Sequence, residues 1–168
     1  MQRSFRVFVG EGALNESPEL AEAVRTELQD LSSELEAVGL LVDKLSIVDP
    51  DEVELRAIAA TLHAFYNGVK RVFIIIAKHY GETPGESQAW HRDLLSNMAA
   101  ATDSRSAVID EPLRDRLRDY LGFRHFFRHA YPMRLKWALL RPMVHDLRRV
   151  HEEVATTVEA FLETTTIH

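Results

Sequence analysis

The sequence predicts an all-α fold, an up-and-down bundle of four to five helices, and three observations predict it. Apolar residues recur every three or four positions over long stretches. Most of those stretches open on Ser-Pro, Asp-Pro or Asp, and two of them close on Gly. Strand-like alternation is confined to a weak Phe5-Val7-Val9 pattern near the start.

The first helix opens at Ser17-Pro18, an N-cap residue followed by Pro at the first helical position. Leu20, Val24, Leu28, Leu31, Leu35 and Val38 then form one stripe, and Gly39 closes it. Asp49-Pro50 repeats the start signal for a second helix, the longest. Its stripe runs through Leu55, Ile58, Leu62, Phe65, Val69, Val72 and Ile76 to Tyr80, with Gly81 as the stop. Asn67-Gly68 before Val72-Phe73-Ile74-Ile75-Ile76 also fits a hairpin turn leading into a buried strand. The helical reading is preferred because no strand-like partner precedes the turn, and a Gly inside a helix costs only about 1 kcal/mol. A shorter helix is expected from Glu86 to about Ala100. Asp110 caps the next, with Leu113, Leu117, Tyr120, Leu121 and Phe127 on its core side, while Phe123, Phe126 and Ala130 fall on another arc. Two apolar faces on one helix imply either the centre of the bundle or a seam with a partner subunit. The last helix is expected from Pro142 through Met143, Leu147, Val150, Val154 and Val158 to Phe161.

At 168 residues, with 46% apolar and 27% charged residues, the chain is long enough for one core burying about two-thirds of its unfolded surface. The expected division is an N-terminal arm at 1–16, flexible or a short strand, the bundle at 17–163 and a tail at 164–168. The absence of Cys excludes disulfides, thiolate metal sites and thiol nucleophiles, and suits a reducing compartment. The longest apolar run, Val72 to Ala77, is too short to span a bilayer. A cytoplasmic protein without a membrane partner is the expectation.

The net charge of −6 is unevenly spread. Between Leu113 and Arg149 ten basic residues face three acidic ones, a local +7 that leaves −13 for the remainder. Such a region attracts phosphodiesters without making the whole protein a non-specific binder. Charge alone, however, favours a plain solvated helix face.

The chemistry-bearing string is Arg124-His125-Phe126-Phe127-Arg128-His129-Ala130-Tyr131, followed by Pro132. Cleaving RNA without a metal needs a base for the 2'-OH proton, an acid for the leaving 5'-oxygen, and a fixed cation beside the phosphorane. Imidazole and guanidinium fit those tasks. On one helix Arg124 and His129 lie roughly 140° apart, so a single copy positions them imperfectly, whereas two copies at a seam would supply two of each. Blander roles are open: Arg124 and Arg128 paired with Asp119 or other carboxylates, His125 as a core histidine, or His125 and His129 as half a metal site. The last is the weakest, because no Asp or Glu lies between Tyr120 and His145.

An Arg, four residues, and a His, with a polar residue after the Arg and a Tyr two residues after the His, resembles the signature of HEPN ribonucleases in the form found in HepT toxins. Leu55-Arg56-Ala57-Ile58-Ala59, Leu62-His63-Ala64-Phe65-Tyr66-Asn67-Gly68-Val69, Trp90-His91-Arg92-Asp93-Leu94-Leu95 and Tyr120-Leu121-Gly122-Phe123-Arg124-His125 are similar to a HepT-like branch in order and spacing. The resemblance spans roughly Ser17 to Leu162. It implies a homodimeric HEPN bundle, or a higher even-numbered oligomer, acting as a metal-independent endoribonuclease toxin with no cofactor. It also implies an MNT-type nucleotidyltransferase antitoxin that adds AMP to the motif tyrosine. By position Arg124 holds the phosphate, His129 is the general acid/base, His125 and Arg128 support RNA phosphate contacts, and Tyr131 is the AMP acceptor. Pro132 disfavours helical geometry at Tyr131, so the helix is expected to end there with the phenol accessible. The chain departs from the branch at Lys70, where an acidic residue is usual, and at Pro132, where Gly often stands. The first departure counts against a polar role for that helix face. The alternative is a non-catalytic HEPN module that only dimerises, partners a nucleotidyltransferase or binds a nucleotide.

Overall fold

The computed structural model of the chain describes residues 16–82, 88–129 and 135–166, so the Phe5-Val7-Val9 stretch lies outside it. Six helices and no strand occur among the described residues: α1 (Glu16–Ala37), α2 (Gly39–Leu45), α3 (Glu52–His79), α4 (Gln88–Met98), α5 (Glu111–His129) and α6 (Trp137–Thr166). The fold is the expected helical bundle, with one helix more than expected. α3 is its axis and packs on all five others.

The start of α3 lies two residues beyond the expected cap. Asp51, not Asp49, is the N-cap: its Oδ1 accepts from the Glu54 backbone N–H at 2.8 Å, and Glu54 Oε2 accepts from the Asp51 N–H at 3.1 Å. This reciprocal pair satisfies two donors at once, which a lone Asp49 before Pro50 cannot match. Asp49 instead accepts from Trp137 Nε1 at 2.7 Å, tying the loop to the start of α6. The stop is as expected. Gly81 has φ of 71°, Glu82 N–H donates to Ala77 O at 2.8 Å and Gly81 N–H to Lys78 O at 3.1 Å, a Schellman ending that only Gly adopts without strain. The Val72–Ile76 run is helical, and Val72, Phe73 and Ile76 are fully buried. Gly68 has a packing reason: a Cβ there would stand 2.9 Å from Leu31 Cδ1, and the Leu31 side chain of α1 would have to shift.

α2 is the extra helix. Gly39 does end α1's stripe, but the chain resumes helical geometry at once, with Val42 and Leu45 buried in the core and Arg148 of α6 donating to Gly39 O at 3.0 Å and to Asp43 Oδ1 at 2.9 Å. α6 begins at Trp137, five residues before the expected Pro142, which sits inside the helix. Burial of Leu140 and Val144 holds this first turn on the core. Ala138 and Pro142 are both exposed, so the hydrogen bond that Pro142 cannot make is missing from the solvent side of the helix. Helical geometry also continues through Thr164 and Thr165, assigned from sequence to the tail.

α5 opens as expected, Asp110 Oδ1 accepting from Leu113 N–H at 2.8 Å. Its core face is Leu113, Leu117, Tyr120 and Phe123. Tyr120 anchors it twice, donating its hydroxyl to Met143 O at 2.8 Å and placing its ring edge-on to Phe65 at 5.0 Å. The expected second apolar arc divides: Phe123 joins the core, Phe126 is 39% exposed, and Ala130 lies outside the described residues. The cause is azimuth, since Phe123 is three residues from Tyr120 and only about 60° from it, while Phe126 turns away.

Candidate functional site

The anchoring of Tyr120 and Phe123 dictates where the charged end of α5 points. At about 100° per residue, Arg124 falls beside the core face, Arg128 one turn further on, and His125 and His129 on the far side. Arg124 is accordingly half-buried, and His125, Arg128 and His129 are exposed. Arg124 Nε donates to Asn67 Oδ1 of α3 at 2.6 Å. One turn back on α3, His63 stacks obliquely on Phe127, ring centroids 5.0 Å apart, and its ring nitrogens lie 3.4 Å from Asn67 Nδ2.

His125 and His129 come together as their spacing requires, ring centroids 4.8 Å apart. His129 Nδ1 lies 2.9 Å from the His125 carbonyl oxygen. A carbonyl can only accept, so Nδ1 carries the proton and a neutral His129 presents its lone pair on Nε2, the atom a general base uses. Arg124 and His129, by contrast, are not joined within one chain: the guanidinium turns toward α3 and the imidazole faces away. Tyr131, the expected AMP acceptor, lies outside the described residues.

Carboxylates pair with five of the ten cations of the basic segment. Arg114 pairs with Glu111 and Asp115, Arg116 with Glu153, Arg118 with Asp115, Arg148 with Asp43 and Arg149 with Asp146. That is the plain structural role open to the segment from sequence. It does not extend to Arg124 and Arg128, which have no ion pair among the described residues, with Asp119 or any other carboxylate. Nor is His125 a core histidine, since it is exposed.

The electrostatics follow from that absence. Burial first, and the adjacent Arg128 charge second, push the Arg124 pKa down. Burial likewise lowers Lys70, helped by Arg124, Arg128 and Arg71, and lowers His63, helped by Arg124, Arg128 and Lys70. One knot of mutually repelling cations thus sits where α3 meets α5. His63 and Asn67 also border a groove of about 510 Å³ between α3 and α1, lined by Asp30, Glu34 and Arg71 among others. There Glu27 takes the Arg71 charge at 2.7 Å. Among the described residues no group of three or more His, Asp or Glu is placed to hold a metal.

His63 and Asn67 were not singled out from sequence. A signal was present: His63, Asn67 and Lys70 recur at helical spacing, polar among the apolar residues of α3.

A family profile described as HepT-like protein matches residues 57–165, which takes in most of α3, all of α4 and α5, and α6 up to its last residue, with Arg124 and His129. No curated protein and no solved structure matches the chain. The match covers more than half of the sequence, and the all-helical bundle agrees with it. The chain belongs to the HepT-like family of HEPN-type, toxin-related proteins.

Proposed function

We propose that this protein is a metal-independent endoribonuclease toxin whose active cleft forms where the α5 helices of two subunits meet. The observation that carries the reading is the C-terminal end of α5. It offers an accessible imidazole with its lone pair on Nε2 and a guanidinium that no carboxylate among the described residues neutralises, on a member of a family associated with ribonuclease toxins. Within one chain these groups face different ways. A two-fold seam at α5 supplies the missing partner, and the exposed Phe126 beside the motif gives that seam an apolar contact.

In such a cleft one His129 takes the proton from the 2'-OH. The 2'-oxygen attacks phosphorus, and the bond to the 5'-oxygen breaks. That imidazole, now protonated, gives the proton to the departing 5'-oxygen, leaving a 2',3'-cyclic phosphate and a 5'-OH. Arg124 stabilises the charge gathering on the phosphorane oxygens, and His125 and Arg128 contact flanking phosphates. Silencing follows the same chemistry. The Tyr131 phenol attacks the α-phosphorus of ATP on an MNT-type nucleotidyltransferase, pyrophosphate leaves, and the added phosphodiester repels RNA from Arg124 and His129.

The test is cleavage of RNA in EDTA, with the termini identified. Cyclic-phosphate products, lost in Arg124→Ala and His129→Ala, support the reading; undiminished cleavage by His129→Ala refutes it. Tight binding of a nucleotidyltransferase with no cleavage at any protein concentration favours the non-catalytic module instead. Intact mass after co-expression with a candidate nucleotidyltransferase tests the second part, with AMP-sized increments that vanish in Tyr131→Phe.

A further inference from the structure

α3 lies beside the α5 motif, and its polar face there is occupied by His63, Asn67 and Lys70. Asn67 is the sole hydrogen-bond partner of Arg124 among the described residues, and it is neutral. An amide at 2.6 Å from Nε fixes the guanidinium without cancelling its charge, and it engages only the inner nitrogen. The outer two, which form the fork that grips phosphate, have no partner among the described residues and are not sealed from solvent. A carboxylate in that place would form an ion pair and compete with an incoming phosphate.

Lys70 stands one turn from Asn67 on the same face, half-buried, and it too has no ion pair among the described residues. Arg128 stands one turn from Arg124. Holding Lys70, Arg124 and Arg128 near one another with no counter-charge among the described residues opposes folding. An anion seated among them relieves that repulsion. The nearby carboxylates Asp30 and Glu34 line the groove that His63 and Asn67 share with α1, and neither forms an ion pair with Lys70, Arg124 or Arg128 among the described residues.

Resting on the ribonuclease reading, we infer that α3 forms the second wall of the RNA site: Asn67 positions Arg124, and Lys70 with Arg128 holds the phosphate next to the one being cleaved. The substrate then needs at least two consecutive phosphodiesters, and affinity draws on both helices. Lys70, a departure from the branch pattern, becomes a contact residue of this chain, and the α3 face is polar in a way that the departure argued against.

The experiment measures equilibrium binding of a 2'-O-methyl oligoribonucleotide, which cannot be cleaved, across a salt series, using full-length protein shown by mass to be unmodified. Lys70→Ala is expected to weaken binding and to flatten the log–log salt dependence by about 0.7 to 1, the loss of one phosphate contact. Asn67→Asp is expected to weaken binding at least tenfold while leaving the melting temperature unchanged or raised, a combination that a merely structural residue does not give. Asn67→Gln, which keeps a neutral amide, should restore part of the affinity. Arg118→Ala, whose charge faces Asp115, should move neither quantity. Wild-type affinity and slope in Lys70→Ala, or unchanged binding in Asn67→Asp, overturns the inference, as does a wild-type protein that does not bind. Failure of the ribonuclease reading shows separately, as binding of this oligonucleotide without cleavage of its unmodified counterpart.

Discussion

Both halves of α5 carry arginines, and put them to different ends. In the first half Arg114 lies 3.0 Å from Asp115 and Arg118 3.4 Å from it, while Arg116 reaches Glu153 of α6. In the second half Arg124 is held by an amide, Arg128 has no ion pair among the described residues, and His125 and His129 stack in solvent. Arginine on a helix therefore says little about function until its counter-charge is located. Cations matched by carboxylates serve the fold, and cations left unmatched are free to meet an anion from outside.

The contrast breaks most sharply in activity. Arg124→Ala and His129→Ala should each lower RNA cleavage by about 100-fold or more, since either an acid–base group or a phosphorane cation is lost. Arg114→Ala and Arg118→Ala, on the same helix, should cleave as the parent does. A reversed pattern would place the chemistry in the wrong half of α5.

Stability should show the opposite bias. Leu117→Ala, at a fully buried site of the first half, should cost about 2 to 5 kcal/mol in denaturant unfolding. Phe126→Ala, partly exposed in the second half, should cost far less in the monomer and should instead weaken self-association, read by sedimentation.

Acidity sharpens the contrast further. His63 in the site and His151 under α1 both have pKa values lowered, chiefly by burial. The unfolded chain therefore binds protons that the folded one refuses, and stability falls as the pH drops from about 7 toward 5.5. Around His63 the groups in play are Arg124, Arg128 and Lys70, with Asp30 and Glu34 across the groove. Bound RNA partly offsets those cations, so an RNA-saturated sample should lose less melting temperature over that range than the free protein. His151→Asn, at the residue beside Ser32, should reduce the acid loss in both samples alike.

The smallest effect belongs to the surface pairs. Removing the Arg118 side chain should change stability by less than about 1 kcal/mol, and 0.5 M salt should erase what remains.

Much of this arrangement is local and so was readable in the sequence. The stripes of α1 and α3, the Asp110 cap and the Gly81 stop depend on residues within a turn or two of each other. Other features depend on distant partners. α2 is held by burial of Val42 and Leu45 in the core and by Arg148, which reaches back to Gly39 and Asp43 from more than a hundred residues away in sequence. α6 starts early because Leu140 and Val144 find the core, a tertiary gain outweighing the cost of Pro142 inside the helix. At the site the motif of Arg124 and His129 stood out by residue type, but Asn67 did not. Beside Gly68 it reads as turn chemistry, and only the crossing of α3 and α5 turns it toward a guanidinium 57 positions away.

The most direct measurement is complementation between two inactive variants. Arg124→Ala and His129→Ala chains, separately tagged and co-expressed, can be purified as a mixed dimer that retains one intact guanidinium and one intact imidazole, each on a different chain. Cleavage of RNA in EDTA by the mixed dimer, with both parental homodimers inactive, is the expected result. An inactive mixed dimer of confirmed composition, or a mixture that never associates, would contradict a site shared between subunits.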